Sequence, residues 1–156
     1  MSFWLQVTRT ISLGAAETGR VLQWDDAVGS VIHRHSPTVS DFRKLKVWRK
    51  AFALALTTHK LAQGVRGAAY LSLRSQLIRA AMSIPANIAE GREQKTERGF
   101  ANFLRHALAS AAELENHYLI ARGMGVIPRA SCDSAICQIV EVKKMLHGLI
   151  NSLGSD

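Results

Sequence analysis

Apolar residues recur along this chain at the three- and four-residue intervals of an amphipathic helix, in four stretches between residues 41 and 153. The third stretch is the clearest. Phe100, Phe103, Leu104, Ala107, Leu108, Ala111, Leu114 and Tyr118 share one side of a helix predicted over 97–122. Thr96 is its expected N-cap, and Gly123 and Gly125 follow its end. The second stretch, 70–90, places Tyr70, Leu73, Leu77, Ala81, Ile84 and Ile88 toward a core, with Arg79, Ser83, Ala86 and Glu90 opposite. Pro85 lies inside it and predicts a kink or a restart after Ile84, and Gly91 reads as a stop. The fourth helix starts near Pro128, which suits a first turn, and runs through Cys132, Ile136, Ile139, Lys143, Leu146, Ile150 and Leu153.

The first stretch, 41–63, is less clean. Leu45, Trp48, Phe52, Ala55, Leu56 and His59 share a face that is assigned to the core, with His59 read as a satisfied buried histidine. Arg43, Lys46 and Lys50 form a stripe opposite, at i, i+3 and i+7. Val47, Leu54 and Leu61 lie away from the first apolar face. A helix apolar on two sides is often buried on two sides, which points to self-association. Gly64 and Gly67 end this helix.

Four long amphipathic helices with short connections predict an all-α fold, an antiparallel up-down-up-down four-helix bundle over residues 41–153. Residues 1–40 break the pattern. FWLQVTRTISLG alternates like a strand with no partner, Gly14, Gly19 and Gly29 interrupt any helix, and HRHSPTVS reads as a linker. This region is expected to be a non-helical or partly disordered N-terminal appendage, or a start placed too early.

Charge changes the picture. The formal net charge is +8, and residues 41–156 carry all of it, with 17 basic groups against nine acidic ones. A basic domain points to a polyanionic partner, most often RNA or DNA. The candidate phosphate contacts are Arg43, Lys44, Lys46, Arg49 and Lys50 on the first helix, and Arg92, Lys95, Arg98 and Arg105 around the second connection. Few aromatic residues accompany them, so the expected mode is backbone-directed and salt-sensitive rather than base-stacking.

Catalytic chemistry finds little support. Bundles that hold paired metals use Glu-x-x-His motifs, and none occurs here. Glu113 and His117, at i and i+4, read as a surface pair. His33 and His35 sit in the linker, and the six histidines show no metal-ligand spacing. Cys132 and Cys137 are five apart, roughly 140° around a helix, so two free thiols in a reducing cytoplasm are expected. No apolar run approaches the ~18 residues of a membrane span, and the N-terminus lacks the features of a signal peptide. The expectation is a cytoplasmic, non-enzymatic protein with no metal and no cofactor.

The string SQLIRAAMSIPANIAEGRE (75–93) strongly resembles the signature of the bacterial four-helix-bundle proteins, also called the 23S rRNA intervening-sequence protein family. FRKLKVWRKAF (42–52), FANFLRHALASAAELENHYLIA (100–121) and KKMLHGLINSL (143–153) are similar to its first, third and fourth helices. The resemblance implies a four-helix bundle without enzymatic activity, assembled as a homopentamer. It extends to relatives of the accessory variability protein of diversity-generating retroelements, which bind a reverse transcriptase and nucleic acid through a basic surface. The matching motif positions are Arg79, Ser83, Pro85, Asn87, Glu90 and Gly91, for which a structural role is expected. Gly99 stands where the family usually has a glutamate that completes a capping box, so the third helix should start more weakly. A second reading of the same features is an interaction scaffold that docks on a partner enzyme.

Overall fold

The computed structural model describes residues 41–154. The appendage, its linker and the two linker histidines lie outside the described residues. Four helices follow one another: α1 (Lys46–Gln63), α2 (Leu71–Arg92), α3 (Glu97–Gly123) and α4 (Arg129–Leu153). Short 3₁₀ turns at Phe42–Lys44 and Ala68–Tyr70 precede α1 and α2. No strand occurs among the described residues.

Each helix packs on its neighbours in sequence, and α4 closes against α1. Specific bonds fix the directions. Trp48, near the start of α1, donates its indole N–H to the Pro85 carbonyl late in α2, at 3.1 Å. Arg122, at the end of α3, pairs with Asp133, at the start of α4, at 2.7 Å. Across the diagonal, the buried Tyr118 hydroxyl of α3 donates to Thr58 Oγ1 of α1 at 2.9 Å, so these two helices run the same way. This is the up-down-up-down bundle that the periodicity predicts.

The core face of α1 differs from the expected one. Val47, Trp48, Ala51, Leu54, Thr58 and Ala62 are buried, whereas Leu45, Phe52, Ala55, Leu56 and His59 are only partly covered. His59 is not a core residue; it faces Gln63 Nε2 at 3.0 Å in an exposed contact. The inward ridge includes small or polar residues (Ala51, Thr58 and Ala62), so it gives a weak apolar signal in the sequence. The start of α1 also differs. Asp41 accepts the Arg43 backbone N–H, Phe42–Lys44 forms a 3₁₀ turn, and Leu45 is extended, so Arg43 does not share a helical stripe with Lys46 and Lys50.

Helix α2 runs unbroken through Pro85, which is buried; it neither restarts after Ile84 nor stops at Gly91. The Leu77, Ala81, Ile84 and Ile88 positions are buried as expected, while Tyr70 and Leu73 are partly exposed. In α3, Phe100, Leu104, Ala107, Ala111, Leu114 and Tyr118 are buried, with Phe103 and Leu108 partly so. Thr96 caps this helix by accepting the Gly99 N–H at 3.1 Å. In α4, Cys132, Ile139 and Leu146 are buried, whereas Ile136, Ile150 and Leu153 stay partly exposed. No helix among the described residues is long and apolar enough to cross a membrane.

Candidate nucleic-acid interface

The antiparallel order gathers the start of α1, the end of α2, the start of α3 and the end of α4 at one end of the bundle. The nine basic candidates come from two separate segments, and the fold brings both segments to this end. Lys44, Lys46, Arg49, Lys50, Lys95, Arg98 and Arg105 are exposed, and Arg43 and Arg92 are partly buried.

Several of these charges already have internal partners. Arg43 pairs with Asp41 at 2.6 Å, and its guanidinium also lies over the Phe42 ring, 5.7 Å from the centroid. The hydrogen bond from Arg43 holds the Asp41 carboxyl below its usual range. Arg49 Nε donates to the Arg43 carbonyl at 2.8 Å, and Lys50 pairs with Glu141 at 2.9 Å. Arg105 donates to the Asn102 side chain at 2.9 Å. Lys44, Lys46, Lys95 and Arg98 make no ion pair among the described residues.

Arg92 is held differently. Its guanidinium lies over the Phe100 ring, 5.6 Å from the centroid, and its Nε is buried with no acceptor among the described residues. Glu90, Glu93 and Glu97 interleave with Arg92, Lys95 and Arg98 along the chain. The α2–α3 connection is therefore locally neutral, and the surplus at this end comes from α1 and α4. Lys143, Lys144 and His147 also lie near this end, and the sequence reading did not include them. Lys143 is engaged with Glu115 at 2.8 Å, while Lys144 and His147 are exposed. Their charge was visible in the sequence, but their place beside α1 follows only from the closure of α4 on α1.

Of the motif positions, Arg79, Ser83 and Gly91 meet α3 along the α2–α3 seam. The Ser83 and Ser110 hydroxyls lie 2.9 Å apart across it. Asn87 Nδ2 donates to the Ser83 carbonyl at 2.8 Å and to its hydroxyl at 3.0 Å. Arg79 reaches Glu113 at 3.2 Å, and His117 Nε2 lies 3.5 Å from the same carboxylate oxygen. Pro85 is buried, and its carbonyl receives the Trp48 indole. Gly91 is buried too, because a Cβ there would stand 2.7 Å from Phe103 Cβ and 2.9 Å from Phe100 Cδ2. Its place is set by close helix approach, not by a helix end. The Glu90 side chain is exposed and makes no ion pair among the described residues.

Other reactive groups are placed as structure. No group of three His, Cys, Asp or Glu side chains that could hold a metal occurs among the described residues. Cys132 is buried, burial pushes its thiol up, and it lies 3.8 Å from the Ile127 carbonyl. Cys137 is exposed, and both thiols are free. Burial pushes the Tyr118 hydroxyl up to about 12. An open groove of about 300 Å³ between α1 and α4 is lined by Thr57, Leu61, Ala130, Ser131, Ser134 and Ala135, none of them an acid, base or thiol.

Residues 43–148 match the model of the 23S rRNA-intervening sequence protein family. The chain belongs to this family. It is also similar to the crystal structure of a protein of unknown function from the S23 ribosomal protein family of Bacteroides thetaiotaomicron. The two are 26% identical, with a TM-score of 0.63, over 67% of this chain and 97% of that one. No curated protein matches the chain. The matched stretch starts after residue 40, so the family is carried by the bundle.

Proposed function

We propose that this protein is a non-enzymatic, homo-oligomeric accessory protein that binds the backbone of RNA or DNA through the basic end of its bundle. The observation that carries the reading is the gathering at one end of basic candidates from two distant segments, with the net surplus there supplied by α1 and α4. Lys44, Lys46, Lys95 and Arg98 there have no ion pair among the described residues, so their charge is available to phosphates. The family's description places its members in an RNA gene context, which is consistent with this reading. Mobility shifts with an RNA hairpin and a DNA duplex across a salt series test it. Binding should weaken steeply with salt, by a slope of about −0.9 per phosphate contacted on duplex DNA. Absence of any shift at low salt would refute it.

Self-association is supported by a half-exposed apolar strip along the α1–α2 seam. Leu45 and Phe52 flank Trp48 on α1, with Leu56 one turn further, and all three are partly exposed. On α2, Ile78 and Met82 lie on the same side as Pro85 and are also partly exposed. A ring such as the homopentamer of the family would cover this strip.

A second reading, a scaffold that docks on a partner enzyme such as a reverse transcriptase, is favoured by large apolar side chains left open elsewhere. Leu71, Leu119, Ile120 and Met124 are 52%, 44%, 38% and 56% exposed. A pull-down that retains one stable partner after nuclease treatment would favour this reading over the first.

A further inference from the structure

Arg92 differs from every other cation at the basic end. Three carboxylates, Glu90, Glu93 and Glu97, lie within five residues of it, yet it makes no ion pair with any of them. Its guanidinium instead rests over the Phe100 ring at 5.6 Å, and its Nε is buried without an acceptor among the described residues. Phe100 is itself core, 5% exposed, so the platform is rigid. A buried donor without an acceptor is costly and rare, so Nε faces the protein, and the two Nη groups, which are not buried and make no hydrogen bond among the described residues, are the donors open to an external partner. A guanidinium held against a buried ring is restrained, and its two Nη groups present a fork that matches phosphate oxygens. The neighbouring Lys95 and Arg98 are flexible exposed cations with no such constraint.

We propose that Arg92 is the oriented phosphate contact of the basic end, receiving one backbone phosphate of the bound nucleic acid in a forked, charge-assisted hydrogen bond. The surrounding lysines and arginines then act as point charges that attract the strand without fixing it. This rests on the nucleic-acid reading above. Its distinguishing consequence is that fork geometry, and not charge alone, sets affinity at this position.

The test compares the wild-type protein with Arg92→Lys and Arg92→Gln, using a labelled RNA hairpin and a DNA duplex over a salt series. Lys60→Ala, an exposed lysine near the other end of α1, is the control and should bind like wild type. Arg92→Lys keeps the charge and loses the fork. Its affinity should fall about tenfold, the worth of one charge-assisted hydrogen bond, with the salt slope unchanged. Arg92→Gln should lose affinity and also lower the slope by about 0.9 on duplex DNA. Thermal unfolding of each variant separates binding from structure. The assignment is overturned if Arg92→Lys binds like wild type, or if its lost affinity tracks a lowered melting temperature. A wild-type protein that binds neither probe at low salt refutes the broader reading, whereas a binding wild type with an unaffected Arg92→Lys refutes only this one.

Discussion

Two helical glycines make opposite demands on the fold. Alanine is favoured over glycine in a helix by about 1 kcal/mol, so Gly→Ala is stabilising where space allows. Nothing stands within 4 Å of a Cβ built at Gly148, and Gly148→Ala should stabilise the protein by about 0.5–1 kcal/mol. At Gly91 the same atom would lie 2.7 Å from Phe103 Cβ, which forces α2 and α3 apart. Overpacking of this kind costs about 1–3 kcal/mol, enough to cancel or outweigh the propensity gain. Gly91→Ala is therefore expected to be net destabilising, and urea unfolding of both variants checks the pair. The buried Thr58–Tyr118 bond is a second residue-scale lever. Thr58→Val would leave the Tyr118 hydroxyl buried without its acceptor, at a cost of about 1–3 kcal/mol. Tyr118 is pushed from 10.0 up to about 12 by burial, so the unfolded tyrosine ionises first as pH rises. Its contribution to stability is complete below pH 10.0, falls above it, and is lost by about pH 12. The stability gap between wild type and Tyr118→Phe should therefore be constant below pH 10.0 and shift against wild type between pH 10.0 and about 12.

At the scale of elements, how well the sequence could be read depended on contrast between faces. Helix α3 was read nearly to its ends, because its buried ridge carries Phe100, Leu104, Leu114 and Tyr118, and Thr96 is a strong cap. Helix α1 was misread in its inward face because apolar residues surround it and its true ridge is built partly from Ala51, Thr58 and Ala62. Periodicity reports where large apolar groups lie, and a small residue placed for close approach gives it no signal. Pro85 misled for a related reason. A proline removes one helical donor and normally costs about 3 kcal/mol, but here the site is buried and its neighbours are tied by the Trp48, Ser83 and Asn87 bonds. Those are tertiary contacts that the local sequence does not announce. The Thr96 cap makes an element-scale prediction. With Gly99 in the place of a capping-box glutamate, Thr96 is half of a capping box, and its side chain satisfies one orphan donor. Thr96→Ala should cost about 1 kcal/mol, and amide exchange should quicken in the first turn of α3 before it does in the centre of the helix.

For the whole molecule, the candidate site was legible as a list of charges but not as a place. The two basic segments are separated by most of α1 and α2, and only the antiparallel closure of four helices brings them to one end. Their internal pairing was also hidden: Lys50 is engaged by Glu141, which is 91 residues away in sequence. The same closure leaves the apolar strip of Leu45, Leu56, Ile78 and Met82 on the outside of the α1–α2 seam. These residues are too covered to be surface and too exposed to be core, as expected of side chains completed by another copy. Under the proposed function assembly and binding are linked, because a ring would set several basic ends side by side and multiply weak phosphate contacts through effective concentration. Leu56→Asp places a charge in the strip without touching the buried ridge of α1. Light scattering should then report a single chain of 17.1 kDa in place of a multiple of that mass, with helicity retained. Nucleic-acid affinity should fall by a factor of about a hundred or more even though no basic residue has changed. A wild-type protein that scatters as a single chain would sever this link and leave each bundle to bind on its own.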